Sequence, residues 1–234
     1  MRLRPDVGVV VAAAGKGERL GGSVPKQFRP IAGIPLLLRT VRPFLAHPEI
    51  REVITVLPAE NVARPPAWLS ELAGERLRLV AGGETRLDSV RNGVGVLSPQ
   101  CSVVLVHDGA RPFPSREVMD SVIAIARQGS GAIAAIPVSD TLKEAHNEGE
   151  QPRIARTIPR DKLWRAQTPQ GFPRELLVRA LEHARSAGQN ATDEAQLLEF
   201  LGESVTLIRD TAMNLKITTE DDLRFAEAVA SQIR

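Results

Sequence analysis

The chain has one cysteine, Cys101, no tyrosine, and only 3% aromatic residues among its 234. A single thiol builds neither a disulfide framework nor a thiolate metal cluster, so a reducing, cytoplasmic setting is expected. With few aromatic faces, the stacking platforms that single-stranded nucleic acid requires are missing. An excess of one charge is missing too, because 30 Lys and Arg against 28 Asp and Glu leave a formal +2. The basic residues are spread along the chain and form no block, so a nucleotide-sized anion suits this composition better than a polymer. No segment approaches the roughly 20 apolar residues that span a bilayer. The opening "MRLRPDVGVVVAAAG" carries basic residues before an apolar run, but that run is short and leads at once into "GKGER". It reads as a first strand, and neither a membrane nor a nucleic-acid partner is expected.

With 43% hydrophobic residues, the chain can close one well-buried core, and residues 1–234 are expected to form a single domain. Apolar, β-branched runs recur at 8–14, 52–58, 77–83, 102–108, 131–139 and 204–210. Segments of helical period lie at 35–47, 85–97, 115–128, 173–188 and 218–232. This alternation predicts an α/β fold, a mostly parallel sheet with helices on both faces. Ligands on such sheets bind beyond the carboxyl ends of the strands. Those ends read "GKGERLGG", "GGETRLDS", "HDGARP" and "SDTLKE", a polar, glycine-rich and charged set. Residues 140–170 break the alternation, being charged, Pro-interrupted and weakly periodic. They read as a projecting β-arm with "NEGE" as its turn, able to pair with another subunit, or else as a mobile surface loop.

The first glycine loop fits neither of two common phosphate cradles. A dinucleotide fingerprint needs G-x-G-x-x-G/A and a carboxylate ending the second strand, whereas this chain has Gly15, Gly17 and Leu20, then Leu57 and Pro58. The P-loop spacing is absent as well. What remains is a loop where Gly15 and Gly17 let the backbone approach a phosphate chain. Arg19 can fork onto the oxygens, and Lys26 of "VPKQF" can join it to neutralise charge developing on phosphorus. In "VAGGETRLDSV", Gly82 and Gly83 permit close approach and Ser89 sits in the first helical turn, where an anion or nucleobase could dock. "VLVHDGARP" places Asp108 and Arg111 at a strand terminus, suited to a divalent ion or hydroxyl and to a phosphate. His107 reads as a hydrogen-bonded structural residue. Thr192 and Asp193 fall at a helix N-terminus, where capping is the simpler role, and Lys216 falls in a short strand before the last helix.

Taken together, "AAAGKGERLGG", "PKQF", "GGETRLDSV", "VHDGARP", "TPQGF", "TDEA" and "NLKIT" resemble the bacterial and plastid 2-C-methyl-D-erythritol 4-phosphate cytidylyltransferases over essentially the whole chain. The resemblance implies a Rossmann-like nucleotidyltransferase fold, the monofunctional form, and a homodimer built through an arm at 140–166. It implies transfer of a cytidylyl group from CTP to 2-C-methyl-D-erythritol 4-phosphate, with Mg2+ held mainly through the CTP phosphates. By motif, Arg19 and Lys26 would stabilise the transition state, and Arg160 and Lys216 would position the attacking phosphate. Ala13, Ala14, Gly15, Gly17, Gly83, Glu84 and Ser89 would hold CTP with Arg19 and Lys26. Asp108, Arg111, Thr141, Thr168 and Thr192 would hold the polyol phosphate with Arg160 and Lys216. Family members often carry Asp where this chain has Glu84, so that contact would have to be made by backbone. A ribitol-5-phosphate cytidylyltransferase and a CTP-binding module without turnover are the alternatives.

Overall fold

The computed structural model describes residues 5–15, 24–146 and 151–232. Strand β1 (Val7–Ala12) is central because its sequence VGVVVA has no polar side chain to keep in water. Its alternate residues serve opposite faces. Val9 and Val11 enter one core cluster with Leu37, Val41 and Phe44, while Val10 enters another with Val90 and Val94. Both faces must therefore be covered. Helices α1 (Leu36–Leu45) and α5 (Arg116–Arg127) cover the first, and α4 (Arg86–Gly95), α6 (Arg174–Ser186) and α7 (Glu194–Phe200) cover the second.

The remaining strands of the main sheet are β4 (Ile50–Leu57), β5 (Leu77–Ala81), β6 (Val103–Asp108), β7 (Gly131–Pro137), β10 (Trp164–Pro173) and β11 (Val205–Arg209). Their spatial order is β11-β7-β10-β6-β1-β4-β5. All run parallel except β10, which lies antiparallel between β6 and β7. The sequence pattern assigns 164–170 to the arm region, and the structure corrects this, because 164–173 is a central strand. Its signature is broken by Pro169, which lacks an N–H for the ladder, and the pairing to β7 shifts register between Ala166 and Gln170.

A β-arm does project from the body. Among the described residues, strands β8 (Leu142–His146) and β9 (Arg153–Ile158) pair only with each other, antiparallel, and are almost wholly exposed. The "NEGE" segment at 147–150 lies outside the described residues. Short helices α2 (Ala59–Ala63) and α3 (Ala67–Leu72) follow β4 and were not legible in the apolar pattern. A small hairpin of β2 (Pro30–Ile31) and β3 (Ile34–Pro35) turns at Ala32 and Gly33, both at positive φ. Its Ile31 packs with Leu36, Ile217, Ala226 and Ala230, which seats the last helix, α8 (Glu220–Gln232), beside the carboxyl end of the sheet. Lys216 is not in a strand; it lies in the loop from 210 to 219, pinned where the Ile217 N–H donates to the Ala110 carbonyl at 2.9 Å.

Candidate active site

Four strand ends, those of β1, β4, β5 and β6, are stitched together by three backbone hydrogen bonds. Ala13 N–H donates to the Val56 carbonyl at 2.9 Å, Gly82 N–H to Leu57 at 2.8 Å, and Gly109 N–H to Ala12 at 2.8 Å. Glycine is required at two of these junctions. A Cβ on Gly82 would lie 2.5 Å from the Ala14 Cβ, and one on Gly109 would lie 2.6 Å from the Ala13 Cβ. The loops they join wall a cleft of about 610 Å³ at the carboxyl edge of the sheet. That volume suits a nucleotide-sized ligand.

Of the residues singled out in the sequence, the cleft wall collects Ala13, Ala14, Gly15, Lys26, Gly83, Glu84, Ser89, Asp108 and Lys216. They come from five separate segments of the chain. Gly17 and Arg19 lie outside the described residues. Thr141 and Arg160 flank the arm strands and are exposed, with Arg160 donating to the Ser139 carbonyl. Thr192 is held by the Gln196 side chain, its N–H donating at 2.8 Å and its hydroxyl lying at 3.2 Å. None of these three lines the cleft of this chain.

The second glycine loop is shaped by its own side chains. Thr85 caps α4, accepting from the Asp88 N–H at 3.0 Å while Asp88 accepts in return from the Thr85 N–H at 3.3 Å. The Ser89 hydroxyl donates to the Thr85 carbonyl at 2.9 Å and accepts from Gly83 N–H at 3.1 Å. Its single hydrogen is thereby committed to the loop. The Glu84 side chain is exposed on the cleft wall.

Asp108 is the charge centre. One carboxylate oxygen lies 2.9 Å from Lys216 Nζ and 3.4 Å from Arg111 Nε, and the other lies 3.5 Å from an Arg86 Nη. Burial alone would raise its pKa, but Lys216 first, then Arg86 and Arg111, more than offset it and hold the carboxyl below the ordinary range. Asp108 is therefore ionised throughout the neutral range. Arg111, itself buried, donates to the Asn214 carbonyl at 2.7 Å, and Asn214 Nδ2 donates to the Thr168 carbonyl at 2.7 Å.

Thr168 and His107 form a closed donor chain. The Thr168 Oγ1 accepts from the Asp108 N–H at 3.0 Å and lies 2.9 Å from His107 Nδ1, while His107 Nε2 lies 2.9 Å from the Arg111 carbonyl. A carbonyl can only accept, so Nε2 carries the hydrogen. Nδ1 then accepts from the Thr168 hydroxyl. Burial pushes the His107 pKa down to about 4, so the ring is neutral at physiological pH and serves as a brace. Thr168 thus fixes the Asp108 main chain from below.

Sequence reasoning missed Arg86 and Glu194, although each stood inside a quoted motif. Arg86 lines the cleft and grips the buried Glu194 with two nitrogens, at 2.5 and 3.0 Å. Gln170 was missed as well; its carbonyl oxygen accepts from the Glu194 and Ala195 N–H groups at 3.1 Å each. Nothing in the spacing of "TDEA" tells a buried glutamate from an exposed one.

A doubly covered, mostly parallel sheet with a cation-bearing, glycine-walled cleft at its carboxyl edge defines the class, a nucleotide-handling α/β enzyme. The family model for 2-C-methyl-D-erythritol 4-phosphate cytidylyltransferase matches residues 7–232. An enzyme of that description from Syntrophus aciditrophicus is 38% identical over 232 residues, covering 97% of this chain and 96% of its own. A bifunctional relative from Desulfotalea psychrophila is 40% identical over 94% of this chain, which spans 55% of that longer protein. The crystal structure of the cytidylyltransferase from Thermus thermophilus superposes with a TM-score of 0.80 at 36% identity, covering 97% of this chain and 99% of that one. This chain belongs to the 2-C-methyl-D-erythritol 4-phosphate cytidylyltransferase family, and its fold is that of the nucleotidyltransferases. Among the described residues no helix is long and apolar enough to cross a membrane.

Proposed function

We propose that the cleft transfers a cytidylyl group from CTP to the phosphate of 2-C-methyl-D-erythritol 4-phosphate, releasing pyrophosphate, in a cytoplasmic step of isoprenoid precursor synthesis. The observation that carries this is the convergence of Lys26 and Lys216 on one glycine-walled cleft of a chain that belongs to this family. A phosphate monoester is already ionised and is its own nucleophile. Positioning and charge neutralisation then suffice, and no general base is needed. A neutral, fully buried His107 fits that economy. The loop of Gly83 and Glu84 faces the base of CTP through its backbone, with Ser89 holding the loop's shape. Lys26 faces the triphosphate, a role the family motif also gives to Arg19, which lies outside the described residues. Lys216 and Asp108 face the acceptor.

The described residues do not build a metal site of their own. No group of three or more His, Cys, Asp or Glu side chains comes together among them, and the Asp108 carboxylate faces Lys216, Arg86 and Arg111 instead. Mg2+ enters this proposal as a companion of the CTP phosphates, screening their charge.

The arm is read as a dimerisation element, and Leu142, Ile154 and Trp164 support this by exposing apolar surface on or beside it, Ile154 to 67%. Its carriage of Thr141 and Arg160 away from this chain's own cleft wall fits a site completed by a second copy. Light scattering at assay concentration is expected to give twice the chain mass, and a clean monomer counts against the arm. For the reaction itself, purified protein is assayed with CTP and each of two acceptors. Methylerythritol 4-phosphate is expected to be turned over in preference to ribitol 5-phosphate. The reverse preference overturns the acceptor, and CTP binding without turnover on either overturns the enzyme reading.

A further inference from the structure

We propose that Arg86 and Glu194 form a positioning pair that fixes the Asp108 carboxylate on the acceptor side of the cleft. The proposal rests on reading Asp108 as an acceptor-side group. Its starting point is the orientation problem that a lone carboxylate poses in a site for two anions. Unless its oxygens are held, such a group repels the incoming phosphate and can rotate away from a substrate hydroxyl. Here both oxygens are held. Lys216 and Arg111 take one, and Arg86 takes the other, so Asp108 cannot turn without breaking an ion pair.

Arg86 is in turn held by Glu194. The two guanidinium nitrogens meet the two carboxylate oxygens at 2.5 and 3.0 Å, the two-point geometry that lysine cannot reproduce. Glu194 is 1% exposed and opens α7, and its own N–H is tied to Gln170 of β10. The buried carboxylate thus has a fixed seat, and it transmits that seat through Arg86 to Asp108. Burying the Glu194 carboxylate is costly even with Arg86 beside it, and an apolar side chain of similar volume would usually stabilise the fold at least as well. A role in orientation gives the charge a purpose that stability does not.

The nucleotide loop does not depend on this pair. The Thr85–Asp88 capping box and the Ser89–Gly83 hydrogen bond hold it independently. Loosening Arg86 should therefore disturb the acceptor subsite more than the CTP subsite.

The test is steady-state kinetics of the full-length enzyme with each substrate varied, on Glu194→Gln, Arg86→Lys and Asp108→Asn, alone and with Glu194→Gln and Asp108→Asn combined. In Glu194→Gln the KM for the acceptor phosphate should rise about tenfold while the KM for CTP stays within about twofold. Arg86→Lys, which keeps the charge and loses the fork, should show the same split and covers the case in which Glu194→Gln does not fold. A merely structural role would lower the active fraction, reducing apparent kcat and leaving both KM values unchanged; that outcome overturns the pair. Because the pair acts through Asp108, the double variant should bind acceptor no worse than Asp108→Asn alone, and additive losses overturn it. If Asp108→Asn itself leaves the acceptor KM unchanged, the underlying reading of Asp108 fails. If Asp108→Asn raises it and neither Glu194→Gln nor Arg86→Lys does, that reading stands and the clamp alone falls.

Discussion

Lys26→Ala is expected to lower kcat for cytidylyl transfer by about a thousandfold while weakening CTP binding by less than about tenfold. An electrostatic donor aimed at charge that develops only in the transition state typically contributes two to three orders of magnitude in kcat. The main chain around Lys26 is held in a way that suits that proposed use. Lys26 opens a 3-10 turn over Lys26–Phe28, where Phe28 N–H donates to the Pro25 carbonyl at 2.9 Å. The neighbouring Gln27 is buried, and the Phe28 ring meets Trp68 edge-on with centroids 6.1 Å apart. The following residue, Arg29, accepts the Leu36 N–H at 2.9 Å, which ties the turn to the start of α1. A cation on such a support is delivered to one place. Single-turnover pyrophosphate release and calorimetric CTP titration separate the two quantities, and near-wild-type turnover would remove Lys26 from the mechanism.

Lys216→Ala should cut kcat/KM for the acceptor about a hundredfold and leave the melting temperature nearly unchanged. The first effect follows from losing a cation beside an incoming phosphate dianion. The second follows from the balance around Asp108. Removing Lys216 leaves the buried carboxylate with Arg111 at 3.4 Å and Arg86 at 3.5 Å, so it is not stranded. The Lys216 side chain is also 43% exposed and leaves no large cavity behind. Its neighbours Asn214 and Ile217 stay buried and keep the loop in place. Acceptor-varied kinetics with thermal melting checks both halves. A large fall in melting temperature would mean that Lys216 is a structural counter-ion first.

The parallel strands were legible because both of their faces are buried, which makes near-continuous apolar runs such as "GVVVAAA" and "SVVLVHD". β10 was not, because "WRAQTPQGFP" carries Thr, Gln and Pro in the middle of the sheet. Those polar residues are buried to serve the site. Gln167 donates to the Asn214 carbonyl at 3.1 Å, Thr168 braces Asp108, and Gln170 holds α7. A strand that gives up apolar residues for a polar network loses the pattern by which strands are found. The same cause hid Glu194, since burial in a partnered ion pair leaves no trace in spacing. Lys26 and the first glycine loop were legible as a phosphate cradle once the later motifs stood beside them, whereas Lys216, with no glycine near it, was singled out only by the family resemblance. Thr141 and Arg160 stand apart from the cleft for a topological reason, as they flank strands that leave the body of the domain.

β10 also sets the order in which this site can come into being. Among the described residues it is the strand that joins the β5-β4-β1-β6 half of the sheet to the β7-β11 half. A chain emerging during synthesis can pair β1, β4, β5 and β6 as soon as residue 108 is available, with Gly15 and Gly83 already at their edge. Asp108 is then present but unbraced, because Thr168 lies 60 residues further on, and the partners Glu194 and Lys216 come later still. Gly15, Gly83 and Ser89 of the cleft wall belong to the early half, and the network around Asp108 is completed only when the late half docks across β10.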